Sequence, residues 1–144
     1  ARAGLHDLCP TLLELVGLEP IGAPDSKSFA GLLADPGRFE GEYQTGFAEY
    51  HGGRYRLTQR VYWDGPWKYV HNGFDFDELY NLDDDPFELR NLAQDERYDA
   101  VVRRMLAGMW RRVRETGDHS LFNSDYPILR AAPYGPLVAE AVDA

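Results

Sequence analysis

"FDFDELYNLDDDPFELRNLA", Phe74 to Ala93, carries seven Asp and Glu among its twenty residues, with Leu, Tyr and Phe recurring between them. So acidic a run is first tested as a calcium loop. An EF-hand loop needs oxygen ligands at alternating positions, a central Gly for the turn and a Glu at the twelfth position. Counted from Asp75, Asp77 fits, but Leu79 takes a ligand position and Gly is absent. Counted from Asp83, Pro86 and Phe87 enter the loop. The spacing reads instead as a strand edge (Leu79, Tyr80, Leu82), a turn (Asp83 to Pro86) and the approach to a helix ("ELRNLA"), with the acids in turn and cap roles.

Upstream, the pattern between Glu42 and Leu82 is that of strands. Tyr55, Leu57, Thr58, Val61, Tyr62 and Trp63 are β-formers, Asp64-Gly65-Pro66 is a turn signal, and "WKYVHN" follows before a second turn at Asn72-Gly73. Four short strands with tight connections predict an antiparallel meander. Downstream, Tyr98, Val102, Met105, Met109 and Val113 recur at helical spacing, so one long helix is expected over Glu96 to Thr116, with Asp95 and Gly117 at its ends. Near the start, "HDLCPTLLELVGLEP" reads as a short helix with Asp7 as N-cap and Gly17 as its stop. Leu8, Leu12, Leu15 and Val16 form an apolar stripe on it, and Cys9 reads as a packing residue. The fold class is α+β, divided as helix 1–20, loop 21–41 with one short turn, sheet plus helix 42–118 and irregular tail 119–144.

A net charge of −9 on 144 residues disfavours a nucleic-acid partner, since phosphate backbones attract Lys and Arg. Five arginines nonetheless crowd between Arg103 and Arg114. One cysteine cannot form an internal disulfide, and no apolar run approaches the ~20 residues that span a bilayer. There is no G-x-S-x-G elbow and no Gly-rich phosphate loop. His71 follows a strand and is expected to face solvent, while His6 precedes a helix and His119 lies in the tail. His51, Arg54 and Tyr55 in "EYHGGRY" form the best anion-binding cluster, set against an ordinary hairpin end.

The ordered motifs "DLCPTLLELVGL", "FAEYHG", "VYWDGPWKYV", "DELYNLDDDPFELRNLA" and "ETGD" resemble the C-terminal part of type I sulfatases, the formylglycine-dependent members of the alkaline-phosphatase-like superfamily. The resemblance implies a small four-stranded antiparallel sheet packed with one long C-terminal helix. It also implies a preceding helix, Asp7 to Val16, that belongs to the large α/β domain. It places the nucleophile, a formylglycine, and a calcium ion in that large N-terminal domain. Here Cys9 continues as Pro10-Thr11-Leu12-Leu13, which departs from the C-x-P-x-R motif. No catalytic residue and no metal ligand are therefore carried over.

His51, Arg54 and Tyr55 are the substrate-binding residues this reading selects, at the rim of the pocket. Arg60 and Lys68 are expected in structural ion pairs. The implied partners are the N-terminal domain of the same polypeptide and a sulfated small molecule or saccharide, with no nucleic acid and no membrane. The alternative is a non-catalytic module that dimerises or meets a partner through the stripe at 8–16 or through the arginine-rich helix.

Overall fold

The computed structural model describes residues 1–23, 25–52, 58–73 and 75–118. The chain forms two compact units, Ala1–Gly46 and Phe47–Ala144.

In the first unit, α1 (Leu8–Leu15), α2 (Ala30–Ala34) and α3 (Pro36–Phe39) are joined by loops and by 3₁₀ turns at Leu5–Asp7 and Glu40–Tyr43. The expected loop over 21–41 thus contains two short helices. Asp35 accepts the Arg38 N–H at 3.2 Å and Pro36 opens α3, a local start signal strong enough to set one turn. Asp7 does not cap α1 with its side chain. It is buried, and its carboxylate accepts the Gly4 and Lys27 N–H groups, both at 2.8 Å. Thr11 Oγ1 donates to the Asp7 carbonyl at 2.6 Å and accepts the Phe29 N–H at 3.0 Å. These bonds make the Asp7–Thr11 side the inner face of α1. Cys9 consequently lies exposed rather than packed. The apolar stripe is exposed too, with Leu8, Leu12, Leu15 and Val16 between 43% and 69% accessible. Gly17, at φ +72°, ends the helix as its position predicts.

The second unit carries the four-stranded antiparallel sheet, β1 (Thr45–Tyr50), β2 (Gln59–Asp64), β3 (Trp67–Asn72) and β4 (Glu78–Asn81), in the order β1-β2-β3-β4. A two-residue Gly65-Pro66 turn, with Gly65 at φ +55°, sets Asp64 opposite Trp67. That register aligns Tyr62 with Tyr69, and Tyr69 in turn with Leu79. All three enter one core with Val102, Met105, Leu106, Met109, Trp110 and Val113 of α4 (Asp99–Glu115). Each such side chain contributes about 1.5–3 kcal/mol by leaving water. Asp95 accepts the Arg97 N–H ahead of α4, and Gly117, at φ +66°, follows it.

The opening stretch is resolved by one amide. β4 is the last strand, and its outer edge presents backbone groups that a fifth strand would otherwise satisfy. Asn91 Oδ1 accepts the Leu79 N–H at 3.0 Å, and Asn91 Nδ2 donates to the Asp77 carbonyl at 3.0 Å. The Leu92 N–H then donates to the Leu79 carbonyl at 2.9 Å, and the Leu92 side chain is buried in the core. Asp85 closes the turn by accepting the Leu89 and Arg90 N–H groups, and these bonds hold its carboxyl below the usual range. Asn91→Ala leaves the Leu79 N–H without its acceptor, so a loss of about 1–3 kcal/mol is expected in urea unfolding.

Gly108 faces the ring of Tyr62, where an added Cβ would come within 2.6 Å. Gly→Ala inside a helix ordinarily stabilises by about 1 kcal/mol. Gly108→Ala is expected to reverse that sign and lower the Tm, because the ring is held in the core. A raised Tm would show the contact to be yielding.

Candidate functional site

The candidate site lies where β1 ends, at His51 and Gly52, and it is organised by an arginine underneath. Arg60 stands on the same face of β2 as Tyr62, two residues away, so the strand carries it inward. Its side chain is 0% exposed. Nε donates to Asp118 Oδ2 at 2.6 Å, Nη1 donates to Thr58 Oγ1 and to the Gln59 carbonyl at 2.7 Å each, and Nη1 reaches the Tyr50 carbonyl at 3.4 Å. Asp118 is aimed there by the turn that ends α4, in which its N–H bonds the Val113 carbonyl at 3.0 Å.

Arg60 Nη2 also lies 3.4 Å from His51 Nδ1. Guanidinium only donates, so this bond makes Nδ1 the acceptor and puts the ring proton on Nε2. Nε2 then donates to Glu49 Oε2 at 3.1 Å. His51 is thereby held between an arginine and a carboxylate while more than half of its side chain stays exposed. Arg54 and Tyr55, the other two residues selected from sequence, lie outside the described residues.

A second network lies on the same sheet face. His71 was expected in solvent and is buried, because it pairs with Arg60 across β2–β3 and points with it toward α4. Its ring meets Trp110 edge-on at 5.7 Å. Asp77 accepts from His71 Nδ1 at 3.2 Å, from Tyr69 Oη at 2.5 Å and from the Asn72 N–H at 2.9 Å. Burial works to raise the Asp77 carboxyl, but the bonds from His71, Tyr69 and Asn72 outweigh it and hold it below its ordinary range. Burial, then the Asp77 charge, pushes the Tyr69 phenol well up. Sequence alternation alone carried the signal for both networks, since Arg60 and His71 fall on the core-facing register of their strands.

Lys68 pairs with Glu88 at 2.5 Å, and Glu88 stands at φ +56°. Among the described residues, no three His, Cys, Asp or Glu side chains gather where they could hold a metal ion.

No known protein-family profile matches this chain. A Haemophilus influenzae protein of uncharacterised function is 28% identical over 115 residues, which is 79% of this chain and 58% of that protein. Several solved structures share the fold. A 2-O GAG sulfatase matches 78% of this chain at 24% identity and a TM-score of 0.69, over 25% of its own length. A protein of Bacteroides thetaiotaomicron assigned to the sulfatases matches 78% at 26% identity and a TM-score of 0.67, also over 25% of its length. The phosphonate monoester hydrolase of Agrobacterium radiobacter matches 78% at 27% identity and a TM-score of 0.56, over 24% of its length.

The sheet-and-helix architecture is thus that of the alkaline-phosphatase-like superfamily. Within it, the chain matches a C-terminal part of a sulfatase and spans about a quarter of the solved structures it resembles.

Asp118→Asn is expected to destabilise the chain in equilibrium unfolding, by up to about 3–5 kcal/mol, because it removes the negative charge from a buried ion pair. For Asp77, the folded carboxyl lies below its unfolded value, so its stabilisation is present above about pH 4 and is lost as the pH falls further. Asp77→Asn should therefore flatten the fall of stability below pH 4. An acid limb as steep as that of the unsubstituted chain would assign that limb to other carboxylates.

Proposed function

We propose that this chain is the C-terminal subdomain of a sulfatase-type ester hydrolase and forms part of the rim of its substrate pocket. The observation that carries the reading is the match to about a quarter of the length of sulfatases, at 26% identity for one of them. In this reading the nucleophile, the formylglycine and the calcium ion belong to the part of such proteins that this chain does not cover. His51, Arg54 and Tyr55 approach the substrate beyond the sulfate. The Glu49–His51–Arg60 arrangement supports this, since it fixes an exposed imidazole with a defined tautomer on a rigid strand end.

The substrate class is a sulfated small molecule or saccharide, by analogy with the glycosaminoglycan sulfatase, while the phosphonate hydrolase marks the competing ester. The exposed Leu8–Val16 stripe docks against the large domain of the same polypeptide. The pure chain is expected to turn over no aryl sulfate, with or without calcium. In a polypeptide that joins it to the remaining domain, His51→Ala should lower kcat/KM for a saccharide sulfate about tenfold, or about 1.4 kcal/mol, and leave a small aryl sulfate unaffected. Equal losses on both substrates would remove His51 from the rim.

A second reading has its own support in the same stripe, exposed over α1. It makes the chain a non-catalytic module that dimerises through residues 8–16 or meets a partner through the arginine-rich helix. Light scattering separates the two, since a monomer that binds no hydrophobic dye leaves that module without a surface.

A further inference from the structure

The antiparallel sheet brings a second exposed side chain to the end that carries His51. β1 and β3 both finish at that end, two strand spacings or about 10 Å apart. In the connection from β3 to β4, Phe76 is 72% exposed. Single exposed aromatics are common on proteins, but this one has its backbone fixed on both sides. Its N–H donates to Asp75 Oδ1 and its carbonyl accepts from Asn72 Nδ2, both at 2.8 Å. Asn72 is buried, and its Oδ1 accepts from Gln59 Nε2 at 2.5 Å across the β2–β3 ladder. The Gln59 carbonyl accepts in turn from Arg60, the residue that holds His51. Hydrogen bonds and the backbone of Gln59 thus connect His51 to Phe76 without a gap. Asp75 lies exposed next to the ring. Of the neighbouring acids, Asp77 is engaged by His71 and Tyr69, and Glu78 by Asn72 and Tyr80.

We propose that Phe76 and Asp75 bind an unsulfated sugar ring next to the sulfated unit, an inference that rests on the saccharide-sulfate reading above. The apolar C–H face of a pyranose lies flat on an aromatic ring, and that contact needs no charge on the sugar. A carboxylate beside the ring accepts hydroxyl hydrogens from the same sugar and repels a sulfate placed there. Residues 72–78 hold three carboxylates and no Lys or Arg that could receive a sulfate. An exposed phenyl ring in that setting fits a neutral sugar better than a charged one. His51 and Phe76 then meet consecutive parts of one saccharide.

The test is titration of the whole chain with N-acetyllactosamine, a neutral disaccharide, followed by NMR, with the same disaccharide sulfated on both rings alongside. With the neutral ligand, the Phe76 and Asp77 amides should shift, and the sugar C–H protons should move upfield under the ring current. The doubly sulfated form should bind more weakly. Phe76→Ala should weaken binding of the neutral form about fivefold, the scale of one aromatic contact. Phe87→Ala, which removes a comparably exposed ring from the turn after β4, should leave it unchanged. Asp75→Asn should narrow the preference for the neutral form. The proposal fails if the neutral disaccharide does not bind, or if the sulfated form binds as tightly. It also fails if Phe87→Ala costs as much as Phe76→Ala, or if Asp75→Asn leaves the preference as it was. The readout contains no turnover, so a failure here leaves the His51 kinetics as an independent measure of the parent reading.

Discussion

The second unit depends on the buried Arg60–Asp118 pair. Its partners lie 58 residues apart, and the pair joins the start of β2 to the end of α4. The same guanidinium reaches the last residue of β1 and the ring of His51. An ion pair taken from water is tolerated only where its remaining donors are satisfied, and here carbonyls, a hydroxyl and an imidazole accept from Arg60. One residue thereby connects a structural core to the exposed end of β1. The position of His51 follows from the packing of the helix, although the two are distant in sequence.

The other edge of the sheet is managed differently. Asn91 copies the donor and acceptor of a peptide group beside β4, so the sheet stops at four strands without an open backbone edge. The acids around it serve the backbone: Asp77 gathers β3, Asp85 closes a turn, and Asp95 starts the approach to α4. Their density reflects the number of N–H groups left over where strands and helices begin and end. A metal ion is not needed to account for it.

Much of this was legible in order and spacing. The β-formers between turn signals, the helical recurrence from Tyr98 to Val113, and the glycines at 17 and 117 report local preferences, which act over a few residues. The misread residues are those whose environment is set from afar. Cys9 and Asp7 changed places because a hydrogen-bonded stitch to Lys27 and Phe29 chose the inner face of α1. Apolar content alone would have chosen the leucines. His71 was placed in solvent because it ends a strand, although its register with Arg60 already pointed it at the helix.

The sequence by itself determined the element order, the class of fold and the resemblance to the C-terminal part of sulfatases. Each of these is written in short-range pattern and in motif order. Tertiary structure decided which charged residues are interior and how the His51 tautomer is held. Those outcomes depend on contacts between residues tens of positions apart. Whether a polar side chain is stabilised or exposed is settled by the partner that the fold brings to it, and no local pattern specifies that partner.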